Sequence, residues 1–237
     1  MDRSALRRTS AHVFVEPDVL DADGVVLLDD EVEHHLRRVL RLRAGEQVGL
    51  TDGAGRWRLA AVADAGGTGG SSEGLVLEPT TAVAAEPDRE SITVAAAMPK
   101  GDRLDWLVQK VTEIGVDRVV LLHADRSVVR WTPERAARHR ARLQRIADEA
   151  CRQSRRVHRA VVDGPFDASS ILSQFAVAEP GGRRLAGGDR SVAIGPEGGW
   201  SEPELALAAD RVDLGPTILR TETAAVAVAT LCVAFER

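Results

Sequence analysis

Two rhythms of apolar residues divide the chain. From His12 onward the apolar runs are short and separated by turn residues: H-V-F-V at His12, V-V-L-L at Val25, E-Q-V-G-L-T at Glu46, R-W-R-L-A-A-V-A at Arg56 and L-V-L-E at Leu75. Runs of this length between turn signals read as β-strands, and Asp52-Gly53 is a turn dipeptide between two of them. One stretch breaks the pattern: Asp30 to Leu40 sets Val32, Leu36, Val39 and Leu40 on one helical face. Many short strands with a single helix predict a small barrel. The loop G-G-T-G-G-S-S-E-G from Gly66 to Gly74 reads as disordered, and T-T-A-V-A-A-E-P-D-R-E from Thr80 to Glu90 as a linker. The domain boundaries therefore fall at 1–80, 81–90 and 91–237.

Beyond the linker, strands alternate with helices. I-T-V-A-A-A from Ile92 is a strand, and a helix follows from Arg103 to Ile114, with Asp102 as its cap and Gly115 as its stop. R-V-V-L-L-H from Arg118 is the next strand. Thr132-Pro133 opens a long helix reaching about His158, with proline in the first turn. Further strands are predicted at Ala160, Phe175, Ser191 and Val212, with Ser201 and Glu204 spaced as a capping box. A last apolar helix runs from Glu222 to Phe235. The alternation predicts an α/β fold with a parallel sheet.

Composition adds an asymmetry. The 237 residues carry a net charge of −5, which argues against a general nucleic-acid binder, yet Met98 to Arg159 holds 15 Lys+Arg against 8 Asp+Glu. The middle of the chain is the part suited to a polyanion. Only Lys100 and Lys110 are lysines, and arginine suits phosphate forks and base stacking. Cys151 and Cys232 lie in predicted helices with no disulfide or metal spacing, which fits a reducing cytoplasm. No apolar run approaches the ~20 residues of a membrane span.

The stretches that suggest chemistry are S-V-A-I-G-P-E-G-G-W, Ser191 to Trp200, and L-G-P-T-I-L-R-T-E-T-A, Leu214 to Ala224. Each is an apolar run broken at Gly-Pro and followed by a helix start. Side by side, two such exits would build a pocket from backbone groups, with glycines letting a flat ligand come close. No G-x-G-x-x-G follows the first α/β strand, and no P-loop occurs. Either stretch alone also fits an ordinary strand–turn–helix connection.

These two motifs resemble the C-terminal signatures of the ribosomal RNA small subunit methyltransferase E family, of the SPOUT class. H-H-L-R-R-V-L-R-L (His34 to Leu42), K-G-D-R-L-D-W-L-V-Q-K-V-T-E-I-G-V (Lys100 to Val116) and C-R-Q-S-R-R (Cys151 to Arg156) resemble further family stretches in the same order. The resemblance spans nearly the whole chain. It implies a SPOUT-type parallel sheet with a C-terminal trefoil knot, preceded by a PUA- or OB-like RNA-binding barrel. It also implies S-adenosyl-L-methionine as cofactor, N3 of a uridine in 16S rRNA of the small subunit as target, and a cytoplasmic homodimer.

Carried onto this sequence, the cofactor would be held by Leu122, Ile194, Gly195, Pro196, Gly198, Gly199, Leu214, Gly215, Ile218, Leu219, Thr223 and Ala224. Removal of the uridine proton needs a base or a cation that steadies the anion. Arg220, Glu222 and Glu197 are the candidates, although both glutamates also sit where they would cap helices. For RNA the candidates are His34, Arg37, Arg38, Arg41, Lys100, Arg103, Arg152, Arg155 and Arg156. A solvated polar face is the alternative for each group. Ala136, Leu143, Ile146, Ala147, Ala150 and Ser154 give the long helix an inward stripe of mostly small residues. An RNA-binding assembly factor without catalysis, and ribose 2′-O methylation, remain the competing readings. The second would carry an early Asn-x-Gly…Arg motif not found here.

Overall fold

The structure is a computed structural model describing residues 3–63 and 75–234, so the glycine-rich loop and Phe235 lie outside the described residues. It divides into two compact units. The first comprises Met1–Asp88 together with Cys151–Arg159, and the second comprises Arg89–Ala150 and Ala160–Arg237.

In the first unit, β1 (Ala11–Phe14), β3 (Gln47–Thr51), β4 (Arg56–Val62), β5 (Val76–Pro79) and β2 (Val26–Leu27) form one sheet in that order. Only the β1–β3 pair is parallel. The path is open among the described residues, with β1 and β2 at its two ends. Val13, Leu20, Leu36, Val48, Leu50 and Leu77 form its core. The expected linker is not a free connection. Within it β6 (Ala84–Ala85) pairs with β4, and Thr81 accepts from Arg58 and the Leu59 amide.

Three helical segments stand where one was expected: α1 (Arg3–Arg7), α2 (Pro17–Asp21), and α3 (Asp30–His34), which continues as a π-turn over His35–Val39. The π-turn corrects the predicted apolar face. It adds a residue to the turn, so Leu36 is buried while Val39 and Leu40 are exposed.

The second unit is an all-parallel sheet in the order β12-β10-β11-β7-β8-β9. Its strands are β7 (Thr93–Ala97), β8 (Arg118–His123), β9 (Val161–Asp167), β10 (Ala176–Arg184), β11 (Ser191–Ile194) and β12 (Asp210–Asp213). Central β7 is buried at every residue, as a strand covered on both faces must be. Ala95, Val120, Leu122, Val177 and Ala193 pack on one face with Leu172, Phe175, Trp200 and Leu205. α4 (Arg103–Ile114) and α7 (Thr221–Ala234) pack together, and α7 also covers β7 and β11. Asp102 begins α4 without a side-chain cap bond, and Gly115 stops it at φ +139°. α6 (Glu202–Leu207) has the full capping box of Ser201 and Glu204.

α5 (Pro133–Gln153) stops short of His158 because Arg155 adopts φ +59°, which a right-handed helix cannot continue through. Its last residues and the following turn belong to the first unit. There His12, 3% exposed, donates from Nε2 to the Arg156 carbonyl at 2.7 Å, which sets its tautomer. No helix among the described residues is long and apolar enough to cross a membrane.

Burial pushes the His12 pKa down from 6.5 to about 4, with the nearby arginines assisting. Between those values the unfolded chain binds a proton that the folded ring refuses, so stability falls as pH drops from 6.5 towards 4. Denaturant titrations at pH 7 and pH 4 should show wild type losing up to roughly 3 kcal/mol more than His12→Gln. Equal losses in the two proteins would show that His12 carries no such linkage.

Candidate functional site

Three neighbouring parallel strands, β12, β10 and β11, are interrupted at one edge of the second unit. β11 ends at Gly195-Pro196 and β12 just before Gly215-Pro216, while β10 bulges at Glu179-Pro180 and pairs with β12 again from Arg183. Ligands in parallel sheets bind beyond the carboxyl ends of strands. A cavity of about 340 Å³ lies there, between these three exits and the start of α7.

Most residues of the two Gly-Pro motifs line it. Ile194, Gly195, Pro196, Glu197, Gly198 and Gly199 form one wall, and Leu214, Gly215, Ile218, Leu219 and Ala224 form the other. Trp200, Thr217 and Thr221, inside the two motifs but not among the carried-over cofactor residues, also line it, as do Ala178, Glu179, Pro180 and Asp213, which were not singled out from sequence. The signal for the β10 group was present: the proline of Ala-Glu-Pro interrupts a strand and marks a bulge. Two expected residues are elsewhere. Leu122, on β8, is fully buried in the core, and Thr223 is exposed on α7.

Specific bonds hold the wall. A Cβ at position 195 would lie 3.0 Å from Cε2 of Trp200, so a side chain there would have to push the indole back from the chain. The indole is 4% exposed and donates from Nε1 to the Ala178 carbonyl at 3.3 Å, joining the first motif to β10. Thr221 Oγ1 donates to the Gly195 carbonyl at 3.0 Å, joining the two motifs to each other. Asp213 accepts from the Gly215 amide at 2.7 Å and the Gly181 amide at 2.9 Å, and these two N–H groups hold its carboxyl below the usual range. Ile218 projects from the lip, 85% exposed.

The charged candidates gather at the start of α4. Arg103 Nη1 lies 2.5 Å from Glu197 Oε1 and 3.7 Å from Glu222 Oε1, so one guanidinium spans both motifs. The Arg103 hydrogen bond is the main cause of a lowered Glu197 pKa. Glu222 is 8% exposed, and its Oε2 is buried without a hydrogen-bond partner. Arg220 is exposed, outside the cavity wall, at the turn into α7, and its charge also favours the Glu197 anion. Lys100 is exposed, and its carbonyl accepts from Arg103 Nε at 3.3 Å. Arg103, an RNA candidate from sequence, is the ion-pair partner of the two catalytic glutamate candidates.

The first unit sorts its candidates as well. His34, Arg37, Arg38 and Arg41 are exposed, with Arg37 near Glu33 at 3.7 Å. The C-R-Q-S-R-R stretch requires correction. Arg156 is 6% exposed, and Arg155 donates to the carbonyls of Arg152 at 2.8 Å and Thr9 at 2.9 Å. Burial lowers the Arg155 pKa. Arg152 is half-buried. The Arg155 side chain and the Arg156 carbonyl brace the first unit through Thr9 and His12.

Known proteins place this geometry. The model of an RNA methyltransferase domain matches residues 86–233, and that of an RNA methyltransferase PUA domain matches residues 28–69. The ribosomal RNA small subunit methyltransferase E of Mycobacterium bovis is 30% identical over 236 residues, covering 91% of this chain and 88% of its own. That of Bacillus subtilis is 29% identical over 238 residues, covering 89% and 90%. Among solved structures, the Neisseria gonorrhoeae ribosomal RNA small subunit methyltransferase E bound to S-adenosyl methionine has a TM-score of 0.75 at 27% identity, covering 92% of this chain and 94% of that one. A putative methyltransferase from Legionella pneumophila in complex with SAM has a TM-score of 0.76 at 25% identity, covering 96% and 98%.

The Asp213 carboxylate is the tie between the β10 and β12 exits. In Asp213→Ala, amide exchange at Gly181 and Gly215 should quicken at least about tenfold while β7 amides keep their protection. Unchanged exchange at both glycines would show that the wall does not depend on this carboxylate.

Proposed function

Since this chain belongs to the ribosomal RNA small subunit methyltransferase E family, we propose that it methylates N3 of one specific uridine in 16S rRNA. It is an S-adenosylmethionine-dependent rRNA methyltransferase. The observation that carries the finer reading is the cavity between the two Gly-Pro motifs, with Arg103, Glu197 and Glu222 clustered beside its wall.

The residues present fit the cofactor. A volume of about 340 Å³ suits a small-molecule site, and glycines in the wall let a flat adenine approach backbone groups. When bound, the sulfonium supplies an already activated methyl group, so the protein has little covalent work to do. Its residues must instead orient the uridine, exclude water and stabilise loss of the N3 proton.

Glu197 is poorly suited to take that proton, because Arg103 holds its carboxyl below the usual range and a base weakens as its pKa falls. Its role in this reading is to anchor Arg103. Glu222, with a buried and unpartnered Oε2 beside the same guanidinium, is the better proton acceptor. Arg220, exposed at the turn into α7, steadies the uridine anion with a charge fixed before reaction.

The chain path supports a knotted C-terminus: it leaves edge strand β12, recrosses the strand ends through Leu214–Arg220, and returns as α7 against α4 and central β7. Trp106 and Leu231, partly exposed apolar side chains on α4 and α7, support a homodimer, and the reading places the enzyme in the cytoplasm.

Mass mapping of 16S rRNA after incubation of small subunits with the enzyme and S-adenosylmethionine should find one new methyl, on a uracil N3. A methyl on ribose, or none, contradicts the reading. Arg220→Ala should lower turnover by about 10²–10³ while cofactor affinity stays within a few-fold; unchanged turnover removes Arg220 from the mechanism. Ile218→Ser should keep folding stability within ~0.5 kcal/mol yet weaken S-adenosylmethionine binding in calorimetry. Undiminished affinity would free the lip of any binding role.

A further inference from the structure

Residues 124–145 of the second unit contain a charged surface that the cofactor cavity does not use. Arg135, Arg138, Arg142 and Arg145 fall within an arc of about 80° on α5 and span about 15 Å along it. Their neighbours have structural duties. Arg130 donates to the Ala124 carbonyl at 3.0 Å, Arg140 donates to that of Gly164 at 3.2 Å, and Arg142 pairs with Asp105. Arg135, Arg138 and Arg145 are exposed and have no hydrogen bond or ion pair among the described residues. Glu149, one turn further on the same face, closes the strip.

An aromatic pair stands at the head of this strip. The Trp131 ring stacks on His139 with centroids 4.4 Å apart and planes at 18°, and both rings are partly exposed. The Trp131 amide is fixed by donating to His123 Nε2 at 3.2 Å. The same loop reaches the first Gly-Pro motif, where Arg126 Nη1 donates to the Gly198 carbonyl at 3.0 Å. The stack therefore stands at the sheet edge that carries the cavity.

From this arrangement we infer that Trp131, with Arg135, Arg138 and Arg145, forms a surface for a single-stranded segment of the substrate RNA. The inference rests on the rRNA methyltransferase reading above. A strand of phosphates about 15 Å long meets the unpaired guanidiniums, and a base beside the target stacks on the indole. Guanidiniums bind phosphate through charge and forked hydrogen bonds, and stacking on an aromatic face accepts any base. An acidic protein would satisfy the arginines but has little use for the stacked rings.

Binding of a poly(U) RNA of about 12 nucleotides, measured across a salt series, tests the surface, with 16S rRNA methylation by wild type followed in parallel. Arg135→Ala/Arg138→Ala/Arg145→Ala should reduce the slope of log K against log salt by about 2, and leave S-adenosylmethionine affinity at the wild-type value. Trp131→Ala should weaken binding by roughly 5- to 100-fold with the slope unchanged, and Trp131→Phe should recover most of the loss. A triple variant that keeps the wild-type slope, or a wild type that methylates rRNA but does not bind poly(U), overturns this surface alone and leaves the arginines to another partner. A wild type without methylation overturns the reading beneath it.

Discussion

Three parallel strands interrupted side by side constrain everything else in the catalytic unit. β10, β11 and β12 all reach one edge of the sheet, so each chain exit must turn aside without obstructing the next. Proline, which removes a donor and fixes φ, follows the ends of β11 and β12 and sits in the bulge of β10. Glycine at 195 leaves the Trp200 indole close against the chain, and glycine at 215 adopts a φ of +125° that side chains rarely take. The cavity is what remains between three exits forced apart in this way.

A space bounded by loops keeps its shape only if the loops are tied. Here side-chain bonds tie them together: Trp200 to Ala178 between β11 and β10, Asp213 to Gly181 between β12 and β10, and Thr221 to Gly195 between α7 and β11. Arg103 adds a fourth tie from outside the sheet, reaching the glutamate of each motif. The ties make binding and chemistry share one framework. A shift in either motif would move the cavity wall and the charged cluster together.

Much of this was legible in the sequence, for identifiable reasons. The parallel sheet followed from strand–helix alternation, and the Ser201–Glu204 capping box and the Gly115 stop are local rules that tertiary context did not override. Most of the cavity wall could be named because both motifs are contiguous in sequence. What escaped notice depends on long-range placement. Ala178, Glu179 and Pro180 join the wall only because β10 lies beside both β11 and β12. The π-turn at His35–Val39 has no periodic signature, so Val39 and Leu40 were assigned to a core they do not enter. Arg155 and Arg156 read as a basic surface patch, since nothing nearby in sequence shows that their backbone and side chains brace Thr9 and His12. The resemblance of C-R-Q-S-R-R to family stretches was real, but its reading as an RNA contact did not follow from it.

The account turns on whether the two tied loops form a cofactor site. Crystals soaked with S-adenosylmethionine offer the most direct view of that question. The predicted result is one molecule bent between Ile194–Trp200 and Leu214–Leu219, with the indole of Trp200 still bonded to Ala178. A vacant cavity, with the molecule bound at another place on the chain or not at all, would contradict the account.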